Sequence, residues 1–196
     1  MKKILVILII CLLSSLSLGC QNSSSGVAGP TKTYDLQGEQ VTFVTPSAPW
    51  EERVQTVGEE SAELGQPADR VVGITFKRPE KDGLIAVGAV KQGQNEKEEF
   101  IELENDKETL NRIANWVVKR DGEILEQEYI KVLGANAYHM TFKVGADERE
   151  ERGEQVHFTK DGKHYTMSIL VPAQDYDKEI GQFRNLVKDF SIKDKS

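Results

Sequence analysis

Residues 155–171 hold the pattern that most constrains the fold: two alternating apolar and polar runs joined by Asp161-Gly162. An Asp-Gly pair between such runs is a strong signal for a two-residue β-hairpin turn. The register about that turn pairs Thr159 with His164, and one face of both strands becomes apolar. A chain with this hairpin must bury that face of an antiparallel sheet. The apolar face comprises Val156, Phe158, Tyr165, Met167 and Ile169.

Further strand and helix signals accompany this hairpin. An amphipathic stripe predicts a helix that Asn105 caps, with Glu108 completing a capping box and Gly122 ending it. A second stripe, which buries Phe183 among other residues, predicts a helix that Asp175 caps. Antiparallel hairpins interrupted by a few helices indicate the α+β class, with a central antiparallel sheet of about six to seven strands. Strands outside the hairpin are predicted over 41–44, 53–57, 71–76, 84–90, 100–103, 124–133 and 137–144.

Four stretches between Val41 and Ile192 are similar to the PsbP-like proteins: VTFVTPSAPW, VLGANAYHMTF, GKHYTMSILVP and QFRNLVKDFSI. They are packing motifs, in which strands, turns and a proline precede an amphipathic helix. The resemblance implies a PsbP-like sandwich, in which helices pack on both sides of the central antiparallel sheet. It also implies a non-enzymatic accessory or binding role, and it assigns no functional residue.

The amino terminus has the layout of a secretory leader. Lys2 and Lys3 precede the apolar run Ile4–Leu13, and small residues then lead to Gly19-Cys20. A membrane-spanning helix needs roughly 20 predominantly apolar residues, more than this segment supplies. The sequence LSLGC, which ends at the cysteine, resembles the lipobox of bacterial lipoproteins, although Ser17 stands where leucine is usual.

This lipobox resemblance implies cleavage after Gly19, attachment of a diacylglycerol to the Cys20 sulfur, and acylation of the freed amine, for example with palmitate. Residues 1–19 are then a signal peptide, 20–32 the lipidated cysteine with a flexible tether, and 33–196 a single globular domain. Two acyl groups make membrane attachment stable, whereas one is marginal. We therefore expect a protein anchored in the bilayer on the extracytoplasmic side of a bacterial membrane. The alternatives are an ordinary secreted protein and an uncleaved N-terminal anchor.

Composition limits both the source of stability and the class of partner. Of the two cysteines, Cys11 lies in the leader, so the mature chain keeps only Cys20 and forms no internal disulfide. Stability must therefore come from a hydrophobic core. The formal charge of −7 becomes −9 without Lys2 and Lys3, because 23 basic residues then face 32 acidic ones. Such an acidic chain is a poor partner for nucleic acid, which requires a basic surface.

No catalytic residue can be assigned from motifs, since the sequence lacks a nucleophile elbow, a P-loop, a dinucleotide fingerprint, HExxH and an EF-hand loop. We predict a non-enzymatic accessory or binding module for an unknown envelope protein or small ligand. Two alternatives stay open: an envelope hydrolase whose site has no sequence motif, and a weak metal-binding lipoprotein. A cleft with convergent polar groups of shifted pKa would favour the hydrolase, whereas a flat, partly apolar patch would favour partner binding.

The three histidines, His139, His157 and His164, are the candidate metal ligands. If the strand over 137–144 pairs with the next one along the chain, all three occupy one polar face of the sheet. Diagonal neighbours there lie about 7–8 Å apart, so two imidazoles could reach one zinc ion at about 2.0–2.1 Å each. No other cofactor is expected. The alternative is a solvated or helix-covered polar face without metal, which the nearby cationic Lys143 favours because it would repel zinc.

Overall fold

The computed structural model describes residues 29–56, 71–91 and 105–193. Two α-helices are present in these ranges, α1 (Lys107–Val118) and α2 (Tyr176–Lys188). Short 3₁₀ turns at Asp147–Arg149 and Ala173–Asp175 precede β8 and α2. The strands are β1 (Thr31–Leu36), β2 (Glu39–Val44), β3 (Glu51–Thr56), β4 (Val71–Lys77), β5 (Leu84–Lys91), β6 (Glu123–Val132), β7 (Ala135–Val144), β8 (Glu151–Lys160), β9 (Lys163–Pro172) and β10 (Ser191–Ile192).

The described strands form two antiparallel sheets. The larger sheet has seven strands in the order β3-β4-β5-β9-β8-β7-β6, and the smaller has the order β1-β2-β10. A central antiparallel sheet of six to seven strands, predicted from the hairpin and turn signals, is therefore confirmed. In the order of the larger sheet β6 lies at one edge. No helix within the described ranges is long and apolar enough to cross a membrane.

The hairpin that joins β8 and β9 has the predicted register. Thr159 pairs with His164, and His157 pairs with Thr166. Both turn residues have positive φ, 50° at Asp161 and 69° at Gly162, as a two-residue turn of this type requires. The Asp-Gly pair therefore fixes this part of the sheet locally.

Several predicted boundaries differ from the structure. The first strand begins at Thr31, inside the segment assigned to the tether, and it pairs with β2. The turn between β6 and β7 is made by Leu133 and Gly134, one residue earlier than predicted, with φ values of 51° and 81°. Neighbouring strands impose this position, because Val132 pairs with Ala135. The predicted strand over 100–103 lies outside the described residues.

The larger hydrophobic cluster joins both sheets to α2. Phe43 of β2 stacks on Phe190 at 6.1 Å between ring centroids, and Phe158 of β8 meets the same ring edge-on at 5.9 Å. From α2, Ile180, Phe183 and Leu186 are buried in this cluster. The stripe predicted for the C-terminal helix is thus part of the core, and it fixes α2 against β8 and β9.

A second, smaller cluster joins α1 to β7. It contains Ile113 and Val117 of the helix with Tyr138, Met140 and Phe142 of the strand. The neighbouring β7 residue, Ala137, belongs instead to the larger cluster. Successive β7 side chains therefore enter different clusters, as they must when a strand buries both of its faces.

Both helix starts differ from the predicted capping. Asp106, not Asn105, caps α1, and its carboxylate accepts a hydrogen bond of 3.0 Å from the Thr109 amide. The Asp175 carboxylate at the start of α2 makes no capping hydrogen bond and instead binds the Arg78 guanidinium at 2.9 Å. A long-range partner, which sequence spacing cannot reveal, has replaced the local cap there.

Candidate functional site

Strand register separates the three candidate histidines. His139 of β7 pairs with Val156, whereas His157 of β8 pairs with Tyr138. Directly paired residues project from the same face of a sheet, so His139 shares its face with Val156 and lies on the face opposite His157. The prediction that all three histidines occupy one face is therefore wrong for His139. It holds for His157 and His164.

His157 and His164 form a close pair beneath the N-terminal end of α1. Their nearest ring nitrogens, Nδ1 of His157 and Nε2 of His164, are 3.2 Å apart. The other ring nitrogen of His157 lies 3.0 Å from the Gln155 side-chain oxygen. Burial lowers the pKa of His157 to about 3, with the neighbouring His164 adding to the effect. The pair is therefore neutral at physiological pH and is hydrogen-bonded within the protein.

The three candidate zinc ligands are not brought together in the part of the chain that the structure describes. Within those ranges no group of three or more histidine, cysteine, aspartate or glutamate side chains is arranged to hold a metal ion. The reason is the register of β7, which removes His139 from the other two histidines. Cys20 and the cleavage position after Gly19 lie outside the described residues, so lipid attachment there stays a prediction.

An open cleft of about 560 Å³ lies between α2 and the β6–β8 end of the larger sheet, on the face that carries His139. Its apolar lining includes Ile130, Val156, Phe183 and Phe190. The polar lining comes from the sheet and from the exposed side of α2. It comprises Glu126, Glu128, Lys131, His139, Thr141, Glu154, Arg184 and Lys188. An apolar cavity with a few convergent polar groups is the usual composition of a ligand-binding site.

A chain of charged side chains crosses the floor of this cleft. Glu128 Oε1 lies 3.2 Å from Nδ1 of His139, and Nε2 of the same ring lies 3.2 Å from Glu154 Oε2. The other oxygen of Glu154 accepts hydrogen bonds from Arg184 Nη2, at 2.5 Å, and from the Tyr176 hydroxyl. Glu154 is buried, whereas the side chains of Glu128 and Arg184 at the two ends are 56% and 61% exposed.

The pKa shifts in this chain follow from these contacts. Hydrogen bonds from His139, Arg184 and Tyr176 outweigh the desolvation of Glu154 and lower its pKa to about 2. The Glu154 carboxylate in turn raises the pKa of His139 above its ordinary value, and Glu128 adds to this effect. Both shifts favour the charged forms. In those charged forms the four groups alternate in sign across the cleft, as carboxylate, imidazolium, carboxylate and guanidinium.

This arrangement is better suited to holding charge than to transferring protons. A general base needs a free lone pair and a pKa near the working pH. Protonated His139 donates from both ring nitrogens to carboxylates, and both Glu154 oxygens are already hydrogen-bonded. The cleft therefore contains convergent groups of shifted pKa, which was the feature expected of a hydrolase. The direction of the shifts, however, is that of a satisfied ion-pair network.

The rim of the cleft contains an apolar residue in an unfavourable backbone conformation. Leu133 lines the cleft, is 39% exposed and has φ of 51°. A left-handed conformation costs an L-residue other than glycine roughly 1–2 kcal/mol, and only asparagine and aspartate tolerate it well. Strained residues cluster at binding sites. An exposed leucine in this position suggests a role at the cleft.

Sequence reasoning missed Glu154, Arg184 and Tyr176. A signal for Glu154 was present, because it has the same parity in its strand as Val156 and Phe158 and so falls on the apolar face. A carboxylate at such a position requires a partner. Nothing in the sequence identified Arg184 as that partner, since 30 positions separate the two residues.

No protein-family model matches the chain, and no curated protein sequence does so. Solved structures do match. The cyanobacterial PsbP protein (CyanoP) of Synechocystis superposes with a TM-score of 0.54 at 16% identity, over 87% of this chain and 96% of that chain. A Bacteroides thetaiotaomicron protein gives 0.50 at 11% identity, over 86% of this chain and 50% of the other. At such low identities the likeness concerns the fold alone, and that fold is PsbP-like.

Proposed function

We propose that the protein is a lipid-anchored lipoprotein on the extracytoplasmic side of a bacterial membrane, and that its folded domain is a non-enzymatic accessory module that binds a ligand in the cleft between α2 and β6–β8. The observation that carries this proposal is the cleft itself. Its walls are apolar, its charged groups converge on one floor, and its volume of about 560 Å³ suits a small ligand or a short segment of a partner.

The architecture supports a rigid binding scaffold. Alternate β7 side chains enter the clusters of α1 and α2, an arrangement consistent with helices on both sides of the sheet. The cleft is therefore built from packed elements and not from long loops, and its lining is held in place before a ligand arrives. Preorganisation of this kind reduces the entropy cost of binding.

The anchor is supported by the sequence. The leader ends at Cys20, and the positions that follow are rich in serine and glycine. A tether of about 10 such residues spans roughly 18 Å root-mean-square, at about 5–6 Å times the square root of the length. Such a tether keeps the domain close to the membrane surface while the cleft stays accessible.

A non-enzymatic role is favoured over the hydrolase by the state of the polar groups. His139 has a carboxylate at each ring nitrogen, and Glu154 is charged at neutral pH because its pKa is about 2. Neither group is free to accept a proton from water or from a nucleophile. Binding through these charges needs no rearrangement of the network, whereas catalysis would need one.

Photocrosslinking in intact cells tests this proposal. A photoreactive phenylalanine analogue replaces Leu133 at the cleft rim in the full-length chain, and the same analogue replaces Val90 in a control. Val90 is also an exposed aliphatic residue, at 55%, but it lies on β5 and does not line the cleft. Intact-mass analysis then detects an adduct whether the captured molecule is a small ligand or a protein.

We expect a discrete adduct at Leu133 that is absent at Val90. The adduct should decrease when Val187, a partly buried residue that lines the cleft from α2, is replaced by the bulkier tryptophan, which fills the space. Identical adducts at both positions, or none at Leu133, would contradict the proposed binding site. A captured molecule that is recovered only as a cleaved product would instead favour the hydrolase.

A further inference from the structure

The cleft-facing side of β6 is acidic and that of α2 is basic, while Lys131, which also lines the cleft from β6, donates its ammonium to the Asn136 side chain. On β6, Glu126 and Glu128 belong to the cleft-facing side of the strand, because Glu126 pairs with Thr141 and Glu128 with His139. On α2, Arg184 and Lys188 line the opposite rim one helical turn apart. Glu126 and Lys188 form no ion pair with another residue in the described ranges, so their charges remain available to a ligand.

The distance between the rims sets the length of a ligand that could reach both. Glu128 lies on β6 and Glu154, which holds Arg184, lies on β8, with β7 between them. Adjacent strands are about 4.7–4.9 Å apart, so the backbones of β6 and β8 are separated by roughly 10 Å, and a ligand must span about this distance to reach from Glu128 to the guanidinium that Glu154 binds. A single amino acid, whose ammonium and carboxylate share one Cα, is too short to reach both rims.

We propose that the cleft binds a short peptide of about three residues with free termini and apolar side chains, its ammonium group at Glu126 and Glu128 and its carboxylate at Arg184 and Lys188. An extended residue spans about 3.3–3.6 Å, so three residues cover the required roughly 10 Å. This inference rests on the proposed function, since it names the ligand class of the same cleft.

The interior of the cleft suits the middle of such a peptide. Ile130 and Val156 add apolar lining on the sheet side of the charged chain, and Phe183 of α2 and Phe190, which follows that helix, add apolar lining on the opposite side. Apolar side chains would lose water against these surfaces, while both termini stay at the open rims. Leu133, held at the rim with positive φ, adds apolar contact at the β6 end.

Isothermal titration of the full chain with Ala-Leu-Ala tests the proposal. Three blocked forms of the same peptide are also titrated: one with an acetylated N-terminus, one with an amidated C-terminus and one with both. Free leucine serves as the ligand that is too short to reach both rims. Each lost charge-assisted contact should weaken binding about tenfold. We expect the unmodified peptide to bind most tightly, each singly blocked peptide to bind more weakly, and leucine not to bind.

Variants of the rims assign each terminus to a side. Glu128→Gln should abolish the preference for a free N-terminus and leave the preference for a free C-terminus intact. Arg184→Gln should do the reverse. Both side chains are more than half exposed, so the variants should fold, and thermal melts check this. Glu108→Gln, on the exposed side of α1 and outside the cleft, is the matched control and should change neither preference.

The outcomes separate this inference from the proposed function. Equal affinity for free and blocked peptides would overturn the assignment of the termini. Absence of peptide binding together with a cleft-specific photoadduct at Leu133 would overturn the peptide inference and leave the binding module in place. Absence of both would overturn both. Loss of both preferences in either single variant would show that the charges act as one field and not as two terminus-specific sites.

Discussion

Glu154 is the residue on which the charge arrangement of the cleft depends. It lies on the apolar face of β8, is 1% exposed, and contacts His139, Tyr176 and Arg184. A buried carboxylate is stable only when its desolvation is offset by such partners. Replacing it therefore changes the protonation of its neighbours as well as the stability of the fold.

Glu154→Gln should lower the pKa of His139, because the hydrogen bond that the His139 ring donates to the Glu154 carboxylate is the largest cause of its rise. NMR titration of the imidazole carbon-bound protons measures this pKa directly. Glu128→Gln is the matched comparison and should lower it less. The loss of stability from Glu154→Gln should be about 1–3 kcal/mol in urea unfolding, since Arg184 and Tyr176 lose a charged acceptor. An unchanged His139 pKa would contradict the described network.

His157 and His139 should give the stability of the protein opposite pH dependences. The pKa of His157 is lowered to about 3 in the folded protein, so between about pH 6.5 and 3 only the unfolded chain protonates this histidine. The free energy of unfolding therefore decreases as the pH is lowered through this range. One group accounts for about 1.4 kcal/mol per pH unit. The pKa of His139 is raised, so its contribution is present below about pH 6.5 and is lost as the pH rises through its folded value.

Urea unfolding at about pH 7.5 and about pH 5 measures both effects. His157→Asn should flatten the loss of stability on acidification, and His139→Asn should make it steeper because an opposing gain is removed. His164, the neighbour of His157, is included in this expectation. Its pKa is also lowered, by burial and by the charge of Arg112, while Asp106 acts in the opposite direction. The same change of slope in both variants would contradict the assigned directions.

At the scale of elements, the turns of two hairpins form a natural pair for comparison. Asp161 and Leu133 occupy the same first turn position, with φ of 50° and 51°, and each precedes a glycine. Aspartate and asparagine tolerate this conformation, whereas leucine does not. The β6–β7 turn is therefore stabilised by its flanking strands and not by its own residues.

Leu133→Asn should raise the free energy of unfolding by roughly 1 kcal/mol, and Asp161→Leu should lower it by a similar amount. Thermal melts measure both changes. Leu133→Asn should also weaken peptide binding, because the rim loses apolar contact. A gain in stability without any loss of binding would mean that Leu133 has no part in the cleft.

At the scale of the whole molecule, the leader and the folded domain make separate contributions. The domain supplies the cleft, residues 1–19 supply the predicted signal peptide, and Cys20 supplies the predicted lipid anchor. Cys20→Ala should leave an uncleaved precursor without lipid, because the cysteine is both the cleavage signal and the acylated residue. Mass spectrometry of the membrane fraction should find Cys20 as a lipid-modified N-terminus in the natural chain. An unmodified cysteine, or an N-terminus at another residue, would end this prediction.

The sequence determined the local features of this protein. Asp161-Gly162 set the β8–β9 register, because a two-residue turn fixes which residues oppose each other. Alternation within β9 correctly separated its polar face from its apolar face, and the stripe of α2 correctly predicted its burial. These features depend on residues close together in the chain, so their pattern is readable without the fold.

Only the tertiary structure decided how neighbouring strands align their faces. Alternation defines two faces for β7 and two for β8, but it does not say which face of β7 lies on the same side of the sheet as the apolar face of β8. If Met140 and Val156 shared a face, the three histidines would share the other one. Instead β7 contributes to both hydrophobic clusters, and Met140 pairs with Gln155. That one-residue difference places His139 in the cleft beside Glu154, which Arg184 also binds, because register is set by packing across the whole sheet.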